Sequence, residues 1–298
     1  MANNSPLVSI IVLCYNSADY VIETLESAKN QTYQNIELII SDDGSSDDTI
    51  DLCKKWLRSN DGKFVHSEII AAPSNTGIPA NCNRGLYASS GEWIKLIAGD
   101  DALLKECIET NVNYIVTYKE VKFLQTISNL YDKAFLKENF ISKLPQIKNP
   151  DFFEQSGEDQ YKMLLNKNYI AAPSVFMHKD SVLSMGGFDE DFRYFEDITL
   201  WLEVTKNGEK FYFLEKETVN YRKHLNTSEK ASKPHMGQHY AKELLKFRKK
   251  YVYKESNALS KIKYASRLHL IIFLDKVGLN NNSAFSNFTY RLINKFLK

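Results

Sequence analysis

Glycine and proline are scarce, 12 and 7 in 298 residues, and the four cysteines, Cys14, Cys53, Cys82 and Cys107, form no C-x-x-C pair. That excludes a collagen-like or low-complexity chain, a disulfide framework and a zinc site of the usual spacing. Reduced thiols in a cytosolic compartment are the expected state. No run of about 18 apolar residues occurs, so no membrane span is expected. The opening stretch MANNSPLVSIIVL has no basic n-region and an apolar run only as long as a strand, so no secretory signal is expected either. An excess of one charge is also missing: 38 Lys and Arg stand against 37 Asp and Glu, for a net charge of +1, which gives no case for a nucleic-acid partner. Finally, Leu13-Cys14-Tyr15-Asn16-Ser17 follows the first apolar run where a dinucleotide-binding chain would carry G-x-G-x-x-G. No G-x-x-x-x-G-K-[ST] occurs anywhere, so nothing supports phosphate binding by a glycine cradle.

What is present is an ordinary globular composition, 43% hydrophobic and 25% charged, with enough length to bury a substantial core. The near-neutral total hides a division. From Ala241 onward there are 13 Lys and Arg against Glu243, Glu255 and Asp275, a net +10, so residues 1–240 carry −9.

LVSIIVL at 7–13, IELIIS at 36–41 and EWIKLIA at 92–98 are nearly continuous apolar runs, the pattern of strands covered on both faces. Between them, apolar residues recur at helical spacing from Tyr20 to Ala28, from Ile50 to Leu57 and over 79–90. Strand alternating with helix predicts an open α/β sheet, parallel in this part. Further on, the pattern predicts a helix over 103–118, an extended segment over 121–131 and a polar excursion over 132–168. A helix over 197–206 and two short strands at 210–214 and 218–222 follow. The last 58 or so residues are lysine-rich and helical in pattern.

Acidic pairs follow two of the core strands: Asp42-Asp43 and Asp100-Asp101. In such a sheet, ligands bind outside the carboxyl ends of the strands, so both pairs are expected to face one cleft. Adjacent carboxylates repel, and a hard divalent cation or hydrogen bonds from a ligand would offset the repulsion. Exposed turns with helix caps are the alternative, and Asp47 and Asp48 are read that way.

Four segments, VSIIVLCYNSADYVIETLESAKNQTYQNIELIISDDGSSDDT, NTGIPANCNRGLYASSGEWIKLIAGDD, GGFDEDFRYFEDITLWLEV and NYRKHLNTS, stand in the order found in family 2 glycosyltransferases of the GT-A fold, which the chain resembles over about residues 7–228. The resemblance implies a Rossmann-like α/β/α sandwich with a mixed central sheet at 1–235, split into a nucleotide-sugar half at 1–102 and an acceptor half at 103–235. A basic helical extension at 236–298 would follow. It also implies a nucleotide-diphosphate sugar donor, a divalent cation (Mn2+ or Mg2+) and transfer with inversion. Carried over by position, Tyr15, Asn16 and Asp43 hold the nucleotide. A carboxylate can accept the ring N–H of uracil, so a UDP-linked donor is expected. Asp100 matches the metal-binding acid that ends the D-x-D motif, and the metal acts as a Lewis acid on the leaving diphosphate. Ala98 stands where the motif has its first acid; either Asp101 compensates or the donor is held less tightly there.

Arg84, one place after Asn83, is a candidate for diphosphate or ribose contacts, with a surface salt bridge as its alternative. Asp197, in Phe195-Glu196-Asp197, matches the general base, with Glu196 as fallback; the alternative is that both acids complement a helix dipole. His224, in Tyr221-Arg222-Lys223-His224, is a candidate to complete the metal shell, and Arg222 or Lys223 to counter phosphate charge. Asp189 is a candidate for sugar hydroxyls. The acceptor is expected to be a glycan or lipid-linked glycan of bacterial surface polysaccharide assembly. The basic, aromatic tail at 241–298 would then lie on an anionic membrane, giving a cytoplasmic protein peripheral at the inner face of the cell membrane. A nucleotidyltransferase and a non-catalytic glycan- or nucleotide-binding module remain as other readings.

Overall fold

A computed structural model describes residues 5–60, 62–145, 151–223, 235–254, 257–281 and 283–296. The chain divides into two compact units, one of residues 1–191 and 196–223, the other of 192–195 and 224–298.

The first unit starts with β1 (Val8–Cys14), α1 (Val21–Lys29), β2 (Ile36–Asp42), α2 (Thr49–Ser59), β3 (His66–Ala71), α3 (Ile78–Ala88) and β4 (Trp93–Ala98). β1 pairs in parallel with both β2 and β4, and β2 with β3. Val8, Ile10 and Val12 of β1 and Leu38 and Ile40 of β2 are wholly buried with Val21 and Leu25 of α1, which is why these runs are nearly continuously apolar. β3 was not foreseen, because HSEIIA is an edge strand with most of its side chains exposed, and its pairing lies in the backbone.

Next come β5 (Ala102–Leu103), α4 (Cys107–Thr117), β6 (Phe123–Asp132), β7 (Phe140–Leu144), α5 (Asp151–Glu154), α6 (Gly157–Leu164), β8 (Val175–His178), α7 (Lys179–Ser184), α8 (Glu196–Lys206) and β9 (Phe211–Lys223). The strand order is β3-β2-β1-β4-β8-β6-β9-β5, with β7 on β6. β8 runs antiparallel to β4, so the parallel half continues into a mixed sheet. The two short strands read near 210–222 are one strand, β9, whose register against β6 shifts around Ile127. The helix read from 103 begins at Cys107, after the two residues that pair with β9. All four cysteines are free and buried.

A buried acid anchors the end of the sheet away from the site. Glu37 in β2 accepts hydrogen bonds from Ser9 Oγ, from the Ser90 amide and hydroxyl, and from the Gly91 amide at 3.0 Å, so it ties β1 to the loop after α3. Burial pushes its carboxyl upward, but these donors outweigh burial and hold it below the ordinary glutamate value of 4.5. Its contribution to stability is therefore present above the unfolded-state pKa and lost as pH falls through the folded value. Glu37→Ala should destabilise by about 3 kcal/mol, since it strands several buried donors at once. Urea unfolding at pH 7 and pH 4 checks this, with a smaller difference at the lower pH.

In the second unit are α9 (Gln238–Phe247), a π-helical turn (Arg248–Val252), α10 (Ala258–Lys276) and α11 (Ala284–Phe296). Ala241, Leu245, Leu268, Ile271, Leu274 and Ile293 form its core. The short segment 192–195 belongs to it through Phe192 and Phe195, whose rings pack on Tyr240, Phe247 and Tyr251.

Candidate active site

The chain leaves β1, β2 and β4 at their carboxyl ends through three tight turns, and the acidic pairs stand in two of them. After β1, Asn16 takes a left-handed φ of 50°. Its amide donates to Ser45 Oγ at 2.8 Å, and its side-chain oxygen accepts from the Ser46 amide at 2.9 Å. Tyr15 beside it is half exposed. The Asp42 carboxylate accepts the Gly44 and Ser45 amides at 3.0 and 2.9 Å, closing the turn after β2. Gly44 (φ +75°) is required there, because a Cβ would stand 2.6 Å from the Ser74 backbone.

Asp43 is buried at the start of α3. It accepts from the Thr76 amide at 3.0 Å, the Gly77 amide at 2.8 Å and Arg84 at 3.3 Å. Burial alone would raise its pKa; Thr76, Gly77 and Arg84 overcome this and hold it below the ordinary aspartate value. Arg84 is further fixed by Asn81 Oδ1 at 2.7 Å and Thr76 Oγ1 at 2.8 Å, so its ion pair with the buried Asp43 belongs to a half-buried network at the rim of the turn. Asp47 accepts the Thr49 and Ala18 amides, each at 3.0 Å, just ahead of α2, whose N-cap residue, Asp48, makes no side-chain capping bond.

Asp100 and Asp101 close β4, and Arg222 of β9 organises both. Its amide donates to Asp101 Oδ1 at 2.7 Å and its Nε to the Asp100 carbonyl at 2.7 Å. The guanidinium also pairs with Glu23 and the Lys133 carbonyl, and stacks on Tyr20 and Phe135. A side chain engaged on every side is a brace, so Arg222 is not the phosphate counter-charge read from its sequence segment. Asp101 is 1% exposed, whereas Asp100 is partly accessible. Burial, then repulsion from Asp100, pushes the Asp101 carboxyl well up, against the pull of Arg222 and Lys95.

Glu196 and Asp197 open α8. Asp197 Oδ1 accepts the Ile198 amide at 2.6 Å, and Oδ2 accepts Asn168 Nδ2 at 3.0 Å. Burial raises its pKa despite those two donors. A cavity of about 430 Å3 brings the two ends together: Ala98 and Asp101 stand on its wall with Glu196, Asp197 and Tyr221. Tyr221 was not singled out in the sequence, although its segment was. Burial, then the charges of Asp101, Asp100, Asp197 and Glu196, raises its phenol to about 12, so it is a neutral donor at neutral pH.

The wall of the cavity made by Ala171, Ala172 and Pro173 is pinned by buried polar groups. Lys95, wholly buried in β4, donates to the Pro173 carbonyl at 2.7 Å, and Gln125 Oε1 accepts the Ala171 amide at 3.0 Å. Burial lowers the Lys95 pKa, with Cys107 and Asp101 opposing. Asn83 clamps the turn of Gly187 and Phe188, accepting the Phe188 amide at 2.8 Å and donating to its carbonyl at 2.9 Å. A Cβ on Gly187 would strike Asn83 Oδ1 at 2.6 Å. Asp189 is in the same turn, where it accepts the Asp191 amide at 3.1 Å.

His224 lies outside the described residues. Among the described residues, no three His, Cys, Asp or Glu side chains gather as a resident metal cage. An ion carried on a diphosphate needs less: phosphate oxygens and waters fill most of its shell and the protein supplies one or two carboxylates. Asp100, accessible and with its main chain braced by Arg222, fits that demand.

Residues 9–177 match the model of the glycosyl transferase family 2. The chain is 31% identical over 226 residues, 74% of its length and 79% of the other, to the Escherichia coli protein named UDP-Glc:alpha-D-GlcNAc-diphosphoundecaprenol beta-1,3-glucosyltransferase WfaP. It is 26% identical over 285 residues, 93% of its length and 77% of the other, to an uncharacterized glycosyltransferase of Haemophilus influenzae. Among solved structures, Staphylococcus aureus TarS in complex with UDP-GlcNAc superposes with a TM-score of 0.61 at 18% identity, covering 89% of this chain and 72% of that one. The mannosyltransferase PcManGT of Pyrobaculum calidifontis, in complex with GDP-Man and Mn2+, does so with 0.58 at 13%, covering 99% and 82%. The likeness to these transferases fixes the fold as GT-A. Since the family model spans more than half of the sequence and takes in the β1, β2 and β4 turns described above, the chain belongs to glycosyl transferase family 2.

Proposed function

We propose that this glycosyltransferase moves a sugar, with inversion, from a UDP-linked donor to a lipid-linked glycan in bacterial surface polysaccharide assembly. The observation that carries the reading is one cavity with the carboxyl end of β4 on one side and the Asp197 carboxylate on the other. A donor held at the first and an acceptor hydroxyl at the second would meet in line. The lipid-linked acceptor draws support from the name of WfaP, and the UDP donor from that name and from the ligand in TarS.

In this reading the turns after β1 and β2 receive the nucleotide. Tyr15 is exposed enough to stack on a base, Asn16 and Asp43 shape the turns beneath it, and Arg84 sets the Asp43 carboxylate. Asp100 would supply a carboxylate to a divalent cation, Mn2+ or Mg2+, that accompanies the diphosphate, and Asp101 backs that turn. When bound, the cation supplies Lewis-acid stabilisation of the departing diphosphate. Asp197 takes the proton from the acceptor hydroxyl at Oδ1 or Oδ2 while that oxygen attacks the anomeric carbon. Its raised pKa makes it a better base than an ordinary aspartate. Glu196 adjoins it, and Tyr221, neutral and donating, is suited to orient a sugar or phosphate oxygen between the two ends.

A thermal-shift screen of nucleotide sugars with Mn2+ and Mg2+ tests the donor. A UDP-sugar at 100-fold its Kd should add about 2.7 kcal/mol, a rise of roughly 5–10 °C for a unit of this size, and only with metal. A shift confined to GDP- or dTDP-sugars would replace the nucleotide, and pyrophosphate release from a nucleoside triphosphate would replace the reaction.

A further inference from the structure

α10 carries two apolar faces, and among the described residues only one of them is packed. Leu268, Ile271 and Leu274 are buried in the core of the second unit with Ala241, Leu245 and Ile293. Leu259, Ile262, Leu270, Phe273 and Val277, by contrast, are 40–65% exposed. With Ser266 they recur at spacings of three and four residues from 259 to 277, so they form one continuous stripe along a helix of 19 residues and its cap. Lys263 flanks the stripe on one side and Lys276 on the other, both exposed. α11 repeats the pattern, with Phe285, Phe288 and Leu292 exposed at i, i+3 and i+7.

An exposed apolar stripe of this extent calls for an occupant. A second copy would bring one +10 segment against another, and like charges oppose that pairing. An anionic bilayer complements the charge, accepts aliphatic and aromatic side chains to the depth of its interface, and lets flanking lysines extend their ammonium groups to phosphate level. No helix among the described residues is long and apolar enough to cross a membrane, so the fitting mode is one that lies on the surface.

We infer that the stripe of Leu259, Ile262, Leu270, Phe273 and Val277 is an interfacial membrane-binding face that docks the enzyme on anionic lipid. This goes beyond the proposed reaction by naming a docking face, and it is independent of the chemistry of transfer.

The test is co-sedimentation of the full chain with vesicles of phosphatidylcholine alone or of phosphatidylcholine with phosphatidylglycerol. The protein should sediment with the anionic vesicles, less with the neutral ones, and less at high salt. Ile262→Glu/Phe273→Glu should lower the partition coefficient at least about tenfold with the thermal midpoint and UDP-sugar binding unchanged. Ser266 supplies a second pair of variants at a position that is already exposed and polar: Ser266→Glu should weaken vesicle binding and Ser266→Leu should strengthen it. The inference falls if the wild type stays in the supernatant with anionic vesicles, or if these substitutions leave sedimentation unchanged. It falls equally if ultracentrifugation finds a dimer that the double variant abolishes, since the face would then belong to a second copy. Loss of vesicle binding with transfer to a soluble acceptor intact separates this result from a failure of the catalytic reading.

Discussion

Asp197→Asn should lower the transfer rate by about 10²–10⁴-fold or more while leaving UDP-sugar affinity unchanged, because in the proposed reaction the substitution removes the proton acceptor and nothing on the nucleotide side. Asn keeps the volume and an oxygen for the Ile198 amide, so the start of α8 is retained. Stability should move the other way. A carboxyl whose pKa is raised in the folded state contributes stability while protonated, and this is lost as pH rises through the raised value; thereafter the buried charge is a cost. The variant therefore gains on the wild type as pH rises, and its thermal midpoint at pH 8 should equal or exceed that of the wild type. The rate of the wild type should climb with pH through the raised Asp197 pKa, above the ordinary 3.8, and the residual rate of the variant should lack that limb. Near-normal transfer by Asp197→Asn would move the base to Glu196, whose Gln variant is the next to assay.

β1, β2 and β4 of the parallel half were legible because these strands are buried on both faces and their sequences are nearly continuously apolar. β3 was not, since an edge strand is held by backbone pairing to β2 and its side chains answer to solvent. The register shift that lets β9 run unbroken from Phe211 to Lys223 is likewise a property of its pairing with β6 and leaves no mark in composition.

The candidate site divides in the same way. The acids at strand ends could be located because a strand end and a short motif are both local. The buried network that fixes them could not: Arg222 reaches Asp101 across 121 residues of sequence and Lys95 reaches Pro173 across 78. A sequence shows that Arg222 and Lys95 are charged without showing that each is buried against a carbonyl or a carboxylate. Tyr221 was hidden for a related reason. In Tyr221-Arg222-Lys223-His224 the histidine has the more obvious chemistry, and only the fold brings the phenol within the field of four carboxylates.

Asp100→Ala should abolish metal-dependent donor binding, with the loss in UDP affinity in the presence of Mn2+ exceeding about 100-fold, since replacing even an outer partner of a metal ligand commonly costs 10–100-fold. The two acids of the turn have different work. Asp101 is buried, one of its oxygens is occupied by the Arg222 amide, and burial beside Asp100 disfavours its charged form. Asp100 is the more accessible of the two, and Ala98 stands where the family motif has an earlier acid. Arg222→Lys provides the graded comparison: a lysine cannot reproduce the fork that meets Glu23, the Asp100 carbonyl and the Lys133 carbonyl together, so the turn should loosen and affinity fall by about 10–100-fold. Calorimetry with UDP, with and without Mn2+, separates the outcomes. If Asp100 holds the ion, the metal-free affinities of wild type and Asp100→Ala coincide and only the metal-dependent increment disappears. If the variant keeps that increment, the ion is held elsewhere and the assignment of Asp100 fails, while the assignment of Asp197 as base is untouched, because the two carboxylates act on opposite sides of the bond being broken.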